Sequence, residues 1–214
     1  SLIGWPATGS VLDLGCGYGW FEEALSIHVN HIRGVDCLAE NRNAFLDAAK
    51  RVASDVRFDQ ELLPRRLDAT DESFDVVLSV YSLYFFPQMV EEAQRVLKKG
   101  GVFLVVTHSE RMMTEGEHFF EFTNLKRVLR NFSAESGPAM LARWFGNVRA
   151  EDYDNAIVFH REDRDDLLKY IDFKREFIEK DFNSQSVKET MTRELDRTGT
   201  LRFNKNDRIF VAVK

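Results

Sequence analysis

The chain has 214 residues, enough for one domain with a sizeable core. Hydrophobic residues make up 44% and phenylalanine alone occurs 18 times, which excludes a disordered chain. The net charge of -6 argues against a broad grip on nucleic acid, and two cysteines, Cys16 and Cys37, are too few for a disulfide framework.

Ser1 to Ser10 reads as a short lead-in, broken by Pro6 and Gly9. Ser1 in place of an initiator Met suggests a processed or trimmed start. Val11 to Leu14 reads as a buried strand, and Trp20 to Val29 as a helix with Phe21, Ala24 and Leu25 inward. Between them lies G-C-G-Y-G, with Gly15, Gly17 and Gly19 at every second position. His31 to Asp36 is a second strand ending in an acid. Ala39 to Ala53 is a helix, Val56 to Phe58 a short third strand, and Phe74 to Val80 a strongly apolar fourth. Pro87 to Leu97 is a helix closed by Lys98-Lys99-Gly100-Gly101, and Val102 to Val106 is a fifth strand.

From Thr107 the pattern changes. Met112 to Arg130 and Pro138 to Phe145 carry apolar residues at helical spacing, separated by Gly137-Pro138. We expect residues 109–150 to form a helical lid between strands five and six, its aromatic residues roofing a substrate. Asn155 to Phe159 is expected as the sixth strand. Asp163 to Arg197 is expected to be mainly helical, with Leu167, Leu168, Ile171, Phe177 and Ile178 inward, and Asp207 to Val213 is the last strand. Strand and helix alternate through the first half. The expected fold is α/β: a single domain over residues 1–214, with a doubly wound, mostly parallel seven-stranded sheet. Ligands of such sheets bind beyond the carboxyl ends of the strands. The glycine loop, Asp36, Asp59 and the end of the fourth strand all fall on that edge.

The glycine loop has the spacing G-x-G-x-G, whereas a dinucleotide fingerprint wants G-x-G-x-x-G. Trp20 occupies the third dinucleotide position, and Asp13 puts negative charge beneath the turn. Both disfavour a pyrophosphate. An acid with glycines suits S-adenosylmethionine (SAM), which carries an ammonium and a sulfonium but no phosphate. Asp36 follows Gly15 by 21 residues, the spacing at which an acid can take ribose hydroxyls. Cys37 would lie beside the adenosine. His28 and His31 stand at H-x-x-H, but no acid or cysteine cluster completes a metal set.

The ordered set L-D-L-G-C-G-Y-G, G-V-D, F-D-V-V-L-S and R-V-L-K-K-G-G-V-F-L-V resembles the class I SAM-dependent methyltransferases, especially their small-molecule, type 11-like group. The resemblance covers Val11 to Val106. It implies that Asp13, Gly15, Cys16, Gly17 and Gly19 surround the methionine part of SAM and that Asp36 takes the ribose. It further implies that Asp59 meets the adenine amine, that Gln60 or Glu61 offers backbone contacts to the ring, and that Val80 and Tyr81 line the methionyl side. The link after Asp59 is longer than in most members, which leaves Asp68 as a rival. For the transfer itself, Tyr84 and His108 are the candidate proton acceptors, and His suits that work near neutral pH. No N-P-P-Y-like tetrapeptide follows the fourth strand, which disfavours amino methylation of nucleic acids. The expected partner is therefore a small molecule. The expected setting is cytoplasmic, because no secretory signal precedes the first strand and no apolar run is long enough to span a membrane.

Overall fold

The computed structural model describes residues 9–120, 122–175 and 183–214. The lead-in before Gly9 and the inward positions assigned to Phe177 and Ile178 lie outside the described residues. The chain order is β1 (Ser10–Leu14), α1 (Trp20–Glu23), β2 (Val29–Asp36), α2 (Asn41–Ala49), β3 (Ala53–Gln60), β4 (Phe74–Val80), α3 (Met89–Val96) and β5 (Leu97–His108). Then come α4 (Thr123–Leu129), α5 (Gly137–Leu141), β6 (Asn147–Tyr153), β7 (Ala156–His160), α6 (Arg164–Lys174), α7 (Ser184–Thr198), β8 (Thr200–Asn204) and β9 (Asp207–Val213).

Seven strands form one sheet in the order β3-β2-β1-β4-β5-β9-β6. Its first five strands are parallel, and β9 runs antiparallel between β5 and β6. The apolar runs of the central strands follow from burial on both faces. Leu12, Leu14, Val77, Phe103 and Val105 join one apolar cluster with α3, α4, α5, α6 and α7. Their neighbours Val11, Val76, Leu78 and Leu104 point the other way and pack with Phe45 and Ala49 of α2. Successive strand residues face opposite sides, so a two-sided core needs an unbroken hydrophobic run. Each such side chain contributes on the order of 1.5–3 kcal/mol by leaving water.

Several elements differ from the sequence reading. The first helix is a single turn, because Ala24 and Leu25 already make i→i−3 bonds to Phe21 and Glu22. β5 begins at Leu97, five residues early, with a register shift against β4 around Gly100 at φ 77°. Gly137-Pro138 opens α5 instead of breaking a helix, with Pro in the first turn. A Cβ on Gly137 would lie 2.6 Å from the Phe210 ring, so the close approach needs glycine.

The largest correction concerns the sixth strand. Asn147–Tyr153 forms the sheet edge beside β9, inside the stretch assigned to the lid. The expected strand over Asn155 to Phe159 instead falls mostly in β7, which pairs only with β8 in a separate two-stranded ribbon. The helical pieces therefore stop before residue 147. Most of their aromatic side chains serve the core: Phe120, Phe122, Phe132 and Phe145 are buried in the main apolar cluster, whereas Phe119 is partly buried and Trp144 is exposed. Among the described residues, no helix is long and apolar enough to cross a membrane.

Candidate active site

The strand order reverses between β1 and β4, and the loop after β1 lies at that switch point. Gly15 N and Cys16 N both donate to the Val35 carbonyl, which ties the loop to β2. Gly15, Gly17 and Gly19 have φ of 76°, 53° and 79°, a region costly for side-chain-bearing residues. Ser82, just beyond β4, donates to the Leu14 carbonyl at 2.6 Å and closes the loop from the other side.

A cavity of about 680 Å³ opens here. Asp13, Gly15, Cys16 and Gly17 line it from the loop, and Val80, Tyr81, Val106, Tyr153 and Ile209 line its opposite wall. Trp20, 78% exposed, stands at the rim with Tyr18. Asp13 is only 2% exposed, and its Oδ1 finds no hydrogen-bond donor among the described residues. Burial, then the nearby Glu22 and Asp36, push its pKa well above the usual carboxylate range.

The structure separates the other sequence candidates. Asp36 lies behind the loop. Its Oδ2 accepts from Gly17 N at 3.0 Å, and its Oδ1 accepts from Leu38 N and Asn41 Nδ2 at 2.9 and 3.1 Å. This carboxylate shapes the loop and keeps a lone pair on Oδ2 for one ligand hydroxyl. Cys37 is exposed, and Gln60 Nε2 reaches the Cys37 carbonyl at 3.5 Å. Cys16 is buried among apolar groups, and burial raises its thiol pKa. Asp59 sits between two arginines. Arg33 Nε and Arg57 Nε both donate to its carboxylate at 2.6 Å, and the Arg33–Asp59 pair is largely buried. Arg33 and Arg57 are directly paired across β2 and β3, so both reach the same acid. Each of its oxygens accepts one of these Nε bonds, and the assignment to the adenine amine stays a proposal. Asp68, the rival, is exposed, and its carbonyl accepts from Arg33.

On the far side of Tyr81 the structure assembles a group that spacing alone does not reveal. His108 ends β5 and Asp207 begins β9, directly opposite in register. His108 Nδ1 lies 2.6 Å from Asp207 Oδ1. Tyr81 OH donates to Asp207 Oδ2 at 2.6 Å, Asn155 Nδ2 donates at 2.8 Å, and Lys205 Nζ stands at 3.3 Å. Tyr81 stacks on His108 with ring centroids 4.6 Å apart, and Tyr84 lies beyond at 6.2 Å. Burial opposes ionisation of Asp207, but the bonds from His108 and Tyr81 outweigh it and hold the pKa at about 2. Burial lowers the His108 pKa, more than Asp207 raises it. The imidazole is thus neutral near pH 7. An ionised Asp207 can only accept, so Nδ1 carries the proton and Nε2 keeps its lone pair. Burial, with Lys205 nearby, also pushes Lys174 down to about 8.

Tyr84 is buried in the main cluster, and burial raises its phenol pKa, which works against proton transfer. We expect Tyr84→Phe to retain methyl transfer within about two-fold, since a general base contributes ~10²–10⁴-fold. A larger loss in turnover assays would give the hydroxyl a chemical role.

The glycine loop at the switch point of this strand order, with an acid beneath it, forms a ligand site at the carboxyl edge of the parallel strands. Residues 12–105 match the methyltransferase-domain family. An uncharacterised methyltransferase of Bacillus subtilis, YcgJ, is 36% identical over 104 residues, 46% of this chain and 40% of that protein. Its crystal structure superposes with a TM-score of 0.57 at 22% identity, covering 97% of this chain and 92% of YcgJ. The sarcosine/dimethylglycine N-methyltransferase of Aphanothece halophytica is 36% identical over 109 residues, 47% of this chain and 38% of that enzyme. The matched segment thus spans about two-fifths of each curated relative. Phosphoethanolamine N-methyltransferase 2 of Haemonchus contortus, solved with SAM bound, has a TM-score of 0.51 at 17% identity, covering 99% of this chain and 50% of that one.

Proposed function

We propose that the chain transfers the methyl group of SAM to a small-molecule acceptor at oxygen, nitrogen or carbon, with His108 as the general base. The single observation that carries the cofactor half is the 680 Å³ cavity at the glycine loop, floored by a buried Asp13 whose Oδ1 has no donor among the described residues. Such an oxygen costs roughly 1–3 kcal/mol or more if left unpaired. A ligand ammonium answers it, and the volume suits a nucleoside-sized ligand. The donor set therefore fits SAM. Asp13 and the loop would hold the amino-acid end, Val80 and Tyr81 would line the methionyl side, and Asp36 would take a ribose hydroxyl.

SAM supplies an already activated electrophilic methyl group when bound. What remains for the chain is alignment, exclusion of water and removal of the acceptor's proton. The apolar walls of Val80, Val106 and Ile209 serve exclusion. His108 Nε2 takes the proton, and Asp207 holds the ring in the required tautomer and stabilises the imidazolium. The name of the Aphanothece relative points to amine nitrogen, so small amines are the first class to screen. The net charge of -6 weighs against RNA as acceptor.

Calorimetry tests the cofactor half. SAM should bind in the micromolar range or tighter, and Asp36→Ala should weaken it by about ten-fold, the scale of ~1.4 kcal/mol. Release of demethylated SAM with fractionated metabolites, and not with bulk RNA or protein, would support a small-molecule acceptor. Tight binding with no turnover on any fraction would instead mark a SAM-binding module.

A further inference from the structure

Glu22 lies on α1, one turn beyond the glycine loop, and its side chain is wholly buried. A buried glutamate in a single-turn helix needs a partner. Neither of its carboxyl oxygens meets a donor among the described residues. Two groups act on it directly, its own backbone N–H and the carboxyl of Asp13, whose Oδ1 is also without a donor. Two carboxylates can bond to each other only through a proton held between them. Asp13 lines the cavity, and Glu22 adjoins that acid without lining the cavity itself.

We propose that Glu22 is a second carboxyl of the cofactor's ammonium subsite, sharing one proton with Asp13 in the empty site and giving that proton up to solvent when SAM binds. The inference rests on the cofactor reading above. The balance is simple. The empty pair holds one proton and one negative charge. On binding, the proton leaves to water, and two carboxylates face the ligand's positive charge. No bond to carbon is made or broken.

The surroundings favour this exchange. Burial raises the Asp13 pKa first, followed by Glu22 and then Asp36 on β2. Burial likewise raises Glu22, opposed by its bond with Asp13. The loop contributes Cys16, whose raised thiol stays protonated and neutral. On the exposed side of the same helix, Glu23 is paired with Arg51, just beyond α2, at 2.9 Å. Among the described residues, none of the electrostatic neighbours that shift Asp13 or Glu22 is a cation. A ligand ammonium would supply the positive charge that these neighbours lack.

The sign of the pH effect follows. The ligand prefers the deprotonated pair, so affinity rises with pH until the raised pKa is passed and is flat above it. Titration calorimetry of the whole chain in buffers of different ionisation enthalpy counts the protons. SAM should release up to about one proton per site near neutral pH, with an association constant rising by up to about ten-fold per pH unit below the plateau. The demethylated cofactor keeps the ammonium and should do the same. Methylthioadenosine, which lacks the amino acid, should release none. Glu22→Gln supplies an amide donor to Asp13, so SAM should bind without proton release and with a flat pH profile. If this variant does not fold, the contrast between the demethylated cofactor and methylthioadenosine decides on the native chain. SAM binding with no proton release in the native chain overturns the proposal and leaves the cofactor reading standing. Unchanged release in Glu22→Gln also overturns it. No SAM binding at any pH overturns both.

Discussion

His108→Ala is expected to lower the rate of methyl transfer by about 10²–10⁴-fold, the usual contribution of a general base, while the affinity for SAM stays within about two-fold. The split follows from where the residue sits. His108 is not among the residues that line the glycine-loop cavity, yet it stacks on Tyr81, which does. A loss confined to turnover marks a chemical role, whereas a parallel loss of SAM binding would make His108 a structural prop of Tyr81. The pH profile adds a second reading. Burial holds the His108 pKa below its ordinary 6.5, so the native rate should be flat near neutral pH and fall on the acid side of that value. Asp207→Asn removes the charge that stabilises the imidazolium. It should shift that acid limb to lower pH and cost the greater part of the same rate factor, because an Asn amide can donate to Nδ1 and favour the wrong tautomer. An unmoved limb would deny Asp207 its positioning role. Asp207 also bears on acid stability. Its folded pKa of about 2 lies below the unfolded value of 3.8. Its contribution is therefore present above about pH 4 and is lost as pH falls through the folded value.

The parts of this site that were legible in sequence are those written in local signals. The glycine loop, the acid beneath it and the apolar central strands announce themselves through backbone sterics and two-sided burial. What stayed hidden depends on pairing between distant segments. Asp207 is 99 residues from His108, and only the antiparallel register of β5 and β9 brings them together. Nothing near Asp59 in sequence shows that β2 and β3 align Arg33 with Arg57 around its carboxylate. The true sixth strand, N-V-R-A-E-D-Y, is a sheet edge with six of its seven residues exposed, so it carries no apolar alternation to detect. The apolar N-A-I-V-F looked like a sheet strand because a ribbon packed on helices buries the same residue types. Glu22 was hidden for a different reason. A glutamate on a helix reads as solvent-facing, and nothing local says that this helix is one turn long and tucked under the loop.

Gly15→Ala is expected to destabilise the fold and abolish SAM binding together. Gly15 has φ 76°, where an L-residue with a side chain costs on the order of 1–2 kcal/mol. The added Cβ would also stand 2.5 Å from Ser82 Cβ and 2.9 Å from Ser82 Oγ, with the Phe86 ring at 3.1 Å. Ser82 cannot easily yield, because its hydroxyl is bonded to the Leu14 carbonyl and to Ser79 Oγ at 2.6 and 2.7 Å. Overpacking of this kind adds roughly 1–3 kcal/mol. The two terms together give about 3 kcal/mol, a fall in Tm of roughly 6–12 °C for a chain of this size. Relief would come from moving the loop off Ser82, which deforms the floor of the cavity, so SAM binding should also be lost. Gly17→Ala separates the two effects. Its φ is 53°, but no atom lies within 4 Å of the added Cβ. That variant should pay only the backbone strain, on the order of 1–2 kcal/mol. Thermal unfolding of both variants decides the matter: equal Tm values would mean that the close approach to Ser82 does not hold the loop.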